Sequence, residues 1–305
     1  MINLNKIRTV SIKNRVSKIN ITQFSRLSGT KKNNFLQYLV PDILIGKDLK
    51  ELISRIINAK KCNKSIVFMF GAHVIKCGLS PIVIDLMKRG YITCLSTNGA
   101  GLIHDFEISY CGNTSEFVDS SLCTGDFGIT RETLENLNKY VNTAAELNKG
   151  IGEYCGLQLS KLKYNKHSIF AQAYKLNIPI TVHAGIGTDI IYQHSTCDGA
   201  SWGKSSYIDF LKLTDNLPKL NDGGIVLNFG SAVILPEVFL KAINICRNLG
   251  YKIDKFTAAN FDMIKQYRPL TNIVSRPTAN SGGFSFIGHH ELMLPLLYTG
   301  IINKS

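Results

Sequence analysis

The chain has 305 residues, 45% of them apolar, which is enough to bury a large core. No apolar run reaches the roughly 18 to 20 residues needed to span a bilayer, and no hydrophobic signal segment follows the start, so the sequence argues against a membrane or secreted protein. The net charge of +13 is scattered among Asn and Ile rather than gathered in a stripe with aromatics, which argues against nucleic acid as the partner.

Residues 1–41 contain no Asp or Glu but carry Lys6, Arg8, Lys13, Arg15, Lys18, Arg26, Lys31 and Lys32. The expected organisation is a basic arm over 1–40, serving as a packing arm or a targeting segment, followed by a single α/β domain over 41–305. A helical period sets in over 48–61, with Leu49, Leu52, Ile53 and Ile56 on one face. The short apolar run 66–70 then reads as a buried strand. Helix follows over 74–90, interrupted between Gly78 and Pro81, and then a strand over 91–97 and a helix over 101–110. Residues 114–152 have few strand signals and read as a helical insertion.

The second half repeats the alternation: helix 167–177, strand 178–183, helix 206–217, strand 223–230, helix 234–250 and strand 255–260. A last strand is expected over 272–277 and a last helix over 289–302. Strands alternating with helices predict a Rossmann-like, doubly wound and mainly parallel sheet with helices on both faces. Eight scattered cysteines, none in a C-x-x-C pair, predict buried free thiols in a reducing, cytoplasmic setting and no zinc site.

In such a sheet, ligands bind beyond the carboxyl ends of the strands. The unusual residues collect there: Gly71 and His73; Asn98, Gly99, Ala100 and Gly101, followed by His104 and Asp105; His183 and Asp189; Gly230 and Ser231; Ala259 and Asn260. Glycines let the backbone approach a ligand, and helix N-termini offer N–H groups to phosphate, so these loops are the expected cofactor-binding set. His104 and His183 are the candidate acid–base groups, with Asp105 and Asp189 to position them. His194, Arg268 and Arg276 are candidate substrate contacts, the arginines suiting a carboxylate or phosphate. A metal held by His73, His183, Asp189 and His194 has no supporting spacing, and none is expected. His289-His290-Glu291 reads as the capped start of the last helix.

In the order and spacing of these motifs, residues 40–300 resemble the deoxyhypusine synthase family. The residues carrying the resemblance are 68–79, the run 95–107 closing on Asp105, the run 178–194 ending with Asp189 and His194, and the segments 228–243 and 256–262. It implies a Rossmann-like sheet, NAD held by the strand-end loops, chemistry at a C–N bond of an amine or polyamine-type metabolite, and a homo-oligomer. The departures are specific. The family's paired Glu-Glu becomes Ile103-His104, its histidine pair becomes Leu235-Pro236, and its cofactor-contacting Asp falls on Ala184. Its imine-forming lysine falls near Ser275-Arg276-Pro277, and Arg does not deprotonate to form an imine. A literal Ser201-Trp202-Gly203-Lys204 occurs too early in the chain to replace it. The expectation is therefore a deoxyhypusine synthase-like transferase or oxidoreductase that is not a deoxyhypusine synthase. A hydrolase or lyase, metal-assisted or not, and a non-catalytic ligand binder stay open.

Overall fold

A computed structural model describes residues 39–116, 118–279 and 282–304. All of the basic arm except its last two residues lies outside them. The described residues fall into two units, one ending at Lys50 and one running from Glu51 to the C-terminus. In the first, the Lys50 ammonium lies 2.7 Å from the Asp42 carboxylate.

The helix α1 (Leu44–Lys61) leads into β1 (Ile66–Phe70), the short turn α2 (His73–Lys76) and α3 (Ser80–Lys88). Then come β2 (Cys94–Asn98), α4 (Gly99–Cys111), α5 (Val118–Thr124), α6 (Arg131–Glu146), α7 (Ile151–Leu159) and α8 (Ile169–Lys175). The second half is β3 (Ile180–His183), α9 (Gly199–Asn216), β4 (Ile225–Phe229), α10 (Ile234–Asn248), β5 (Thr257–Asp262), β6 (Gly283–Ile287) and α11 (His290–Lys304). The six strands form one parallel sheet in the order β3-β2-β1-β4-β5-β6. Parallel strands need crossovers, and right-handed crossovers running outward in both directions from β1 set helices on both faces. The fold is α/β and doubly wound, as the alternation of periods predicts.

Burial explains why the central strands show no polar alternation: β1 to β5 are covered on both sides. On one face Val67, Met69, Cys94 and Val226 pack with Leu213, Leu235, Phe239, Ala242 and Ile243. Across the register Phe229, Phe261 and Phe286 stack as a ladder, with ring centroids 4.2 and 4.6 Å apart. Offset stacking of this kind adds about 0.5–1.5 kcal/mol per pair beyond the area buried.

The edge at β3 is closed by side chains of α9. The Asp209 carboxylate accepts from the backbone N–H of Val182 and of Gly152, both at 2.9 Å. The Ser206 hydroxyl donates to the Val182 carbonyl and accepts from Ala184 N–H. One helix thus supplies the hydrogen bonds that a seventh strand would make.

Two expectations fail. The segment expected as the last strand, 272–277, belongs to a π-helix, Leu270–Ser275, that follows a helical turn at Tyr267–Pro269. The last strand lies further on at β6, where Phe284, Phe286 and the intervening Ser285 do alternate with period two. The cysteines are all free, yet only Cys94, Cys155 and Cys246 are buried. Cys62, Cys111 and Cys123 are exposed, and the exposed Tyr110, Val118 and Leu122 show that the apolar stretches around Cys111 and Cys123 are not buried either.

Asp209→Ala is expected to lose on the order of 2–4 kcal/mol in urea unfolding, because two buried N–H groups are left without acceptors. Burial raises the Asp209 pKa from 3.8 to about 7. A carboxyl whose folded pKa is raised holds its proton longer in the folded chain, so its contribution falls as pH rises from about 4 to 7. The stability advantage of the natural chain over Asp209→Asn should shrink across that window.

Candidate functional site

The direction of strand addition reverses between β1 and β4, and there the two strand ends press together. A side chain at Gly71 would sit 2.6 Å from the Gly230 carbonyl oxygen. Gly230 itself has φ +68°, and a Cβ on it would lie 2.6 Å from Nε2 of His290. Only glycine satisfies both positions. Ser231 follows, its hydroxyl accepting from Leu235 N–H at the start of α10, while its carbonyl accepts from the Asn228 amide. Gly71, Gly230, Ser231 and His290 are therefore packed closely at this point, with the His73 ring 5.8 Å from that of His290.

A cavity of about 820 Å³ is walled by α4, the start of α6, the loop after β3 and Lys76 of α2. His73, three residues before Lys76 on α2, does not line it. Asn98 caps α4 by accepting from Gly101 N–H at 3.0 Å, so helix begins at Gly99. The glycines of 98–101 are helical and do not form a left-handed loop. Their lack of Cβ serves packing: at Gly101 a methyl would strike the Thr97 hydroxyl, and at Gly99 it would strike the Asp189 carboxylate.

His104 lies inside α4 and points into the cavity. Its Nδ1 is 2.7 Å from the Thr114 hydroxyl, which in turn makes a short bond to Glu107. A carboxylate only accepts, so Thr114 spends its proton on Glu107 and accepts from Nδ1–H of His104. The tautomer is thereby set, and Nε2 carries a lone pair. Burial lowers the His104 pKa to about 4, with Lys76 pushing the same way, so the ring is neutral near pH 7. Asp189 also lines the cavity, and burial raises its carboxyl to about 6.

Other expected site residues lie elsewhere. Asp105, fully buried, accepts from Ser168 and from the N–H groups of Ile169 and Phe170, so it fastens the start of α8 and faces away from His104. Consecutive helical residues point about a third of a turn apart, which is why the pair separates. His183 is the last residue of β3, 4% exposed, with its Nε2 on Thr181. Burial holds it neutral, down to about 3, and it does not line the cavity. Ala259 and Asn260 lie within β5, which runs to Asp262, and Asn260 pairs with Asn228 at 2.7 Å. His194 contacts Thr196 outside the cavity. Arg268 pairs with Glu237 at 3.3 Å and Arg276 donates to Asn272, whose amide donates to the same Glu237. Lys204 is exposed on α9 and does not line the cavity. Sequence reasoning passed over Glu107, Thr114 and Thr133; Glu107 sits three residues after His104 on the same helix face, which was the available signal.

No family model and no curated protein matches this chain in sequence. Solved structures do match it. A deoxyhypusine synthase candidate from Entamoeba histolytica superposes with a TM-score of 0.52 at 12% identity, over 94% of this chain and 96% of that one. This chain has the deoxyhypusine synthase-like fold. AgrE, solved as a ternary complex with ornithine and NAD+, gives a TM-score of 0.55 at 12% identity over 91% of this chain. ArgZ, an arginine dihydrolase from the ornithine–ammonia cycle in cyanobacteria, gives 0.52 at 15% identity over 86%. The chain spans about a third of the length of those two proteins, 34% of each.

Gly230→Ala is expected to destabilise the chain by about 1–3 kcal/mol, since a left-handed alanine meets the His290 ring. Thermal melting checks this, and Gly187→Ala supplies the control, because Gly187 also has a positive φ (+87°) but has nothing near its Cβ. The Gly230 variant should lose clearly more.

Proposed function

We propose that this chain is an NAD-binding enzyme acting at a C–N bond of a small, positively charged amine, and that it is not a deoxyhypusine synthase. The carrying observation is one of charge. A chain with net charge +13 presents Glu107, Glu116, Glu132 and Asp189 to this cavity, against Lys76 and a neutral His104. A low-dielectric cavity lined by carboxylates favours a cationic guest. AgrE, solved with ornithine and NAD+, and ArgZ, an arginine dihydrolase, share this fold over about a third of their length, and that likeness supports the class.

The switch point at Gly71 and Gly230 is where a dinucleotide would bind, because both positions keep the backbone bare where strand order reverses. Ser231 and the N-terminus of α10 would hold the phosphates. Asn98, Gly99, Ala100 and Gly101 border the ribose or nicotinamide side instead, since Asp189 already occupies the helix end at Gly99. Bound there, NAD supplies a hydride acceptor. The chain's own residues do the rest: Asp189 pairs with the substrate ammonium, Nε2 of His104 takes a proton from it, and Glu107 holds His104 through Thr114. Among the described residues no lysine lines the cavity other than Lys76, and Lys204 lies outside it, so transfer through a lysine imine at Lys204 has no support.

Calorimetric titration with NAD+ should give saturable binding, and addition of ornithine, arginine or a polyamine should then generate NADH absorbance with at least one of them. Failure of NAD+ to bind overturns the reading. Turnover should rise with pH through about 6 as Asp189 ionises. Asp189→Asn should abolish that limb and lower kcat/KM by roughly 10²- to 10⁴-fold.

A further inference from the structure

The helix α2 carries a second constellation, whose residues do not line the cavity at His104. His73 opens α2 and Cys77 closes it, with Cys77 N–H donating to the His73 carbonyl at 2.9 Å. One helical turn therefore stacks imidazole over thiol on the same face. Glu291, in the first turn of α11 and 214 residues away in sequence, reaches the same point. The Cys77 thiol donates to the Glu291 carboxylate at 3.5 Å, and one ligating atom from each of the three residues lies within 4.8 Å of the others.

We propose that His73, Cys77 and Glu291 form a binding site for a divalent, zinc-like cation. Thiolate, imidazole and carboxylate together match the ligand preferences of zinc, and the two anionic ligands balance a dication. The proton now shared between sulfur and carboxylate lies where the cation would go: binding breaks the S–H bond, forms a metal–sulfur bond and releases that proton to solvent. Around a tetrahedral zinc, with bonds of about 2.0–2.3 Å, ligand atoms sit about 3.3–3.7 Å apart, so closure requires about 1 Å of side-chain movement. Glu291 is exposed and His73 and Cys77 are half-buried, which leaves them free to make it.

A second, independent observation points the same way. His290, adjacent to Glu291 and only 1% exposed, has a buried Nδ1 without a hydrogen-bond partner, and its ring meets that of His73 at 5.8 Å. Buried polar nitrogens are rarely left so, and this one belongs to the neighbour of Glu291 in sequence. Three protein ligands leave one coordination position for water or a substrate atom.

Cobalt(II) reads the site directly, without turnover or NAD. The full chain, stripped with chelator, should bind one equivalent of cobalt with a thiolate-to-metal charge-transfer band in the near ultraviolet. Cys77→Ser should lose that band, and Cys77→Ser, His73→Ala and Glu291→Gln should each weaken binding at least about tenfold, or about 1.4 kcal/mol. Circular dichroism confirms that each variant is folded, and Glu291→Gln, on an exposed surface, suffices if either of the others is not. Absence of one-equivalent binding overturns the proposal, as does a band and an affinity that survive these substitutions.

Discussion

The backbone contact between Gly71 and the Gly230 carbonyl is the constraint from which the rest of the architecture follows. Two neighbouring parallel strands, β1 and β4, send their chains off in opposite directions, and their ends approach this closely only because neither carries a side chain. His290 fills what Gly230 leaves vacant, so the last helix is seated against the end of β4. The phenylalanine ladder runs from β4 to β6. Changing one glycine would thus disturb strand and helix together.

A different constraint governs the cavity at His104. Its histidine is kept neutral by burial and held in one tautomer by a threonine, and burial raises its aspartate to about 6. Perturbation by burial in a shared cavity is the common signature of groups set for proton transfer. His183 shows the same perturbation without the setting: at the end of β3, bonded to its neighbour Thr181, it does not line that cavity. Perturbed titration alone therefore fails to separate the two histidines, whereas position does.

The fold was legible because helical and strand periods differ and alternate cleanly here. The one misread strand shows the limit. Residues 272–277 hold Ile273 and Val274 between polar neighbours, a pattern shared by a buried helical turn and a short strand. The site was half legible. Of the expected residues, Ala100, His104 and Asp189 line one cavity. Asp105 misled because adjacency in sequence becomes divergence on a helix, and His183 because one residue decides whether a side chain ends a strand or begins a loop. Nothing local announced that Glu291 meets Cys77, since such a contact depends on how the last helix crosses the sheet.

The closed margin at β3 has a consequence for how copies of this chain meet. Exposed strand margins are templates for uncontrolled growth, and proteins usually blunt them with lysine, proline or a bulge. Here the margin is consumed by Ser206 and Asp209, so an incoming strand would find the Val182 amide and carbonyl already engaged. It would have to expel a buried carboxylate to dock. On this side the sheet is terminated chemically, and any association between copies that respects the folded state must proceed through side-chain surfaces rather than by continuing the sheet from β3.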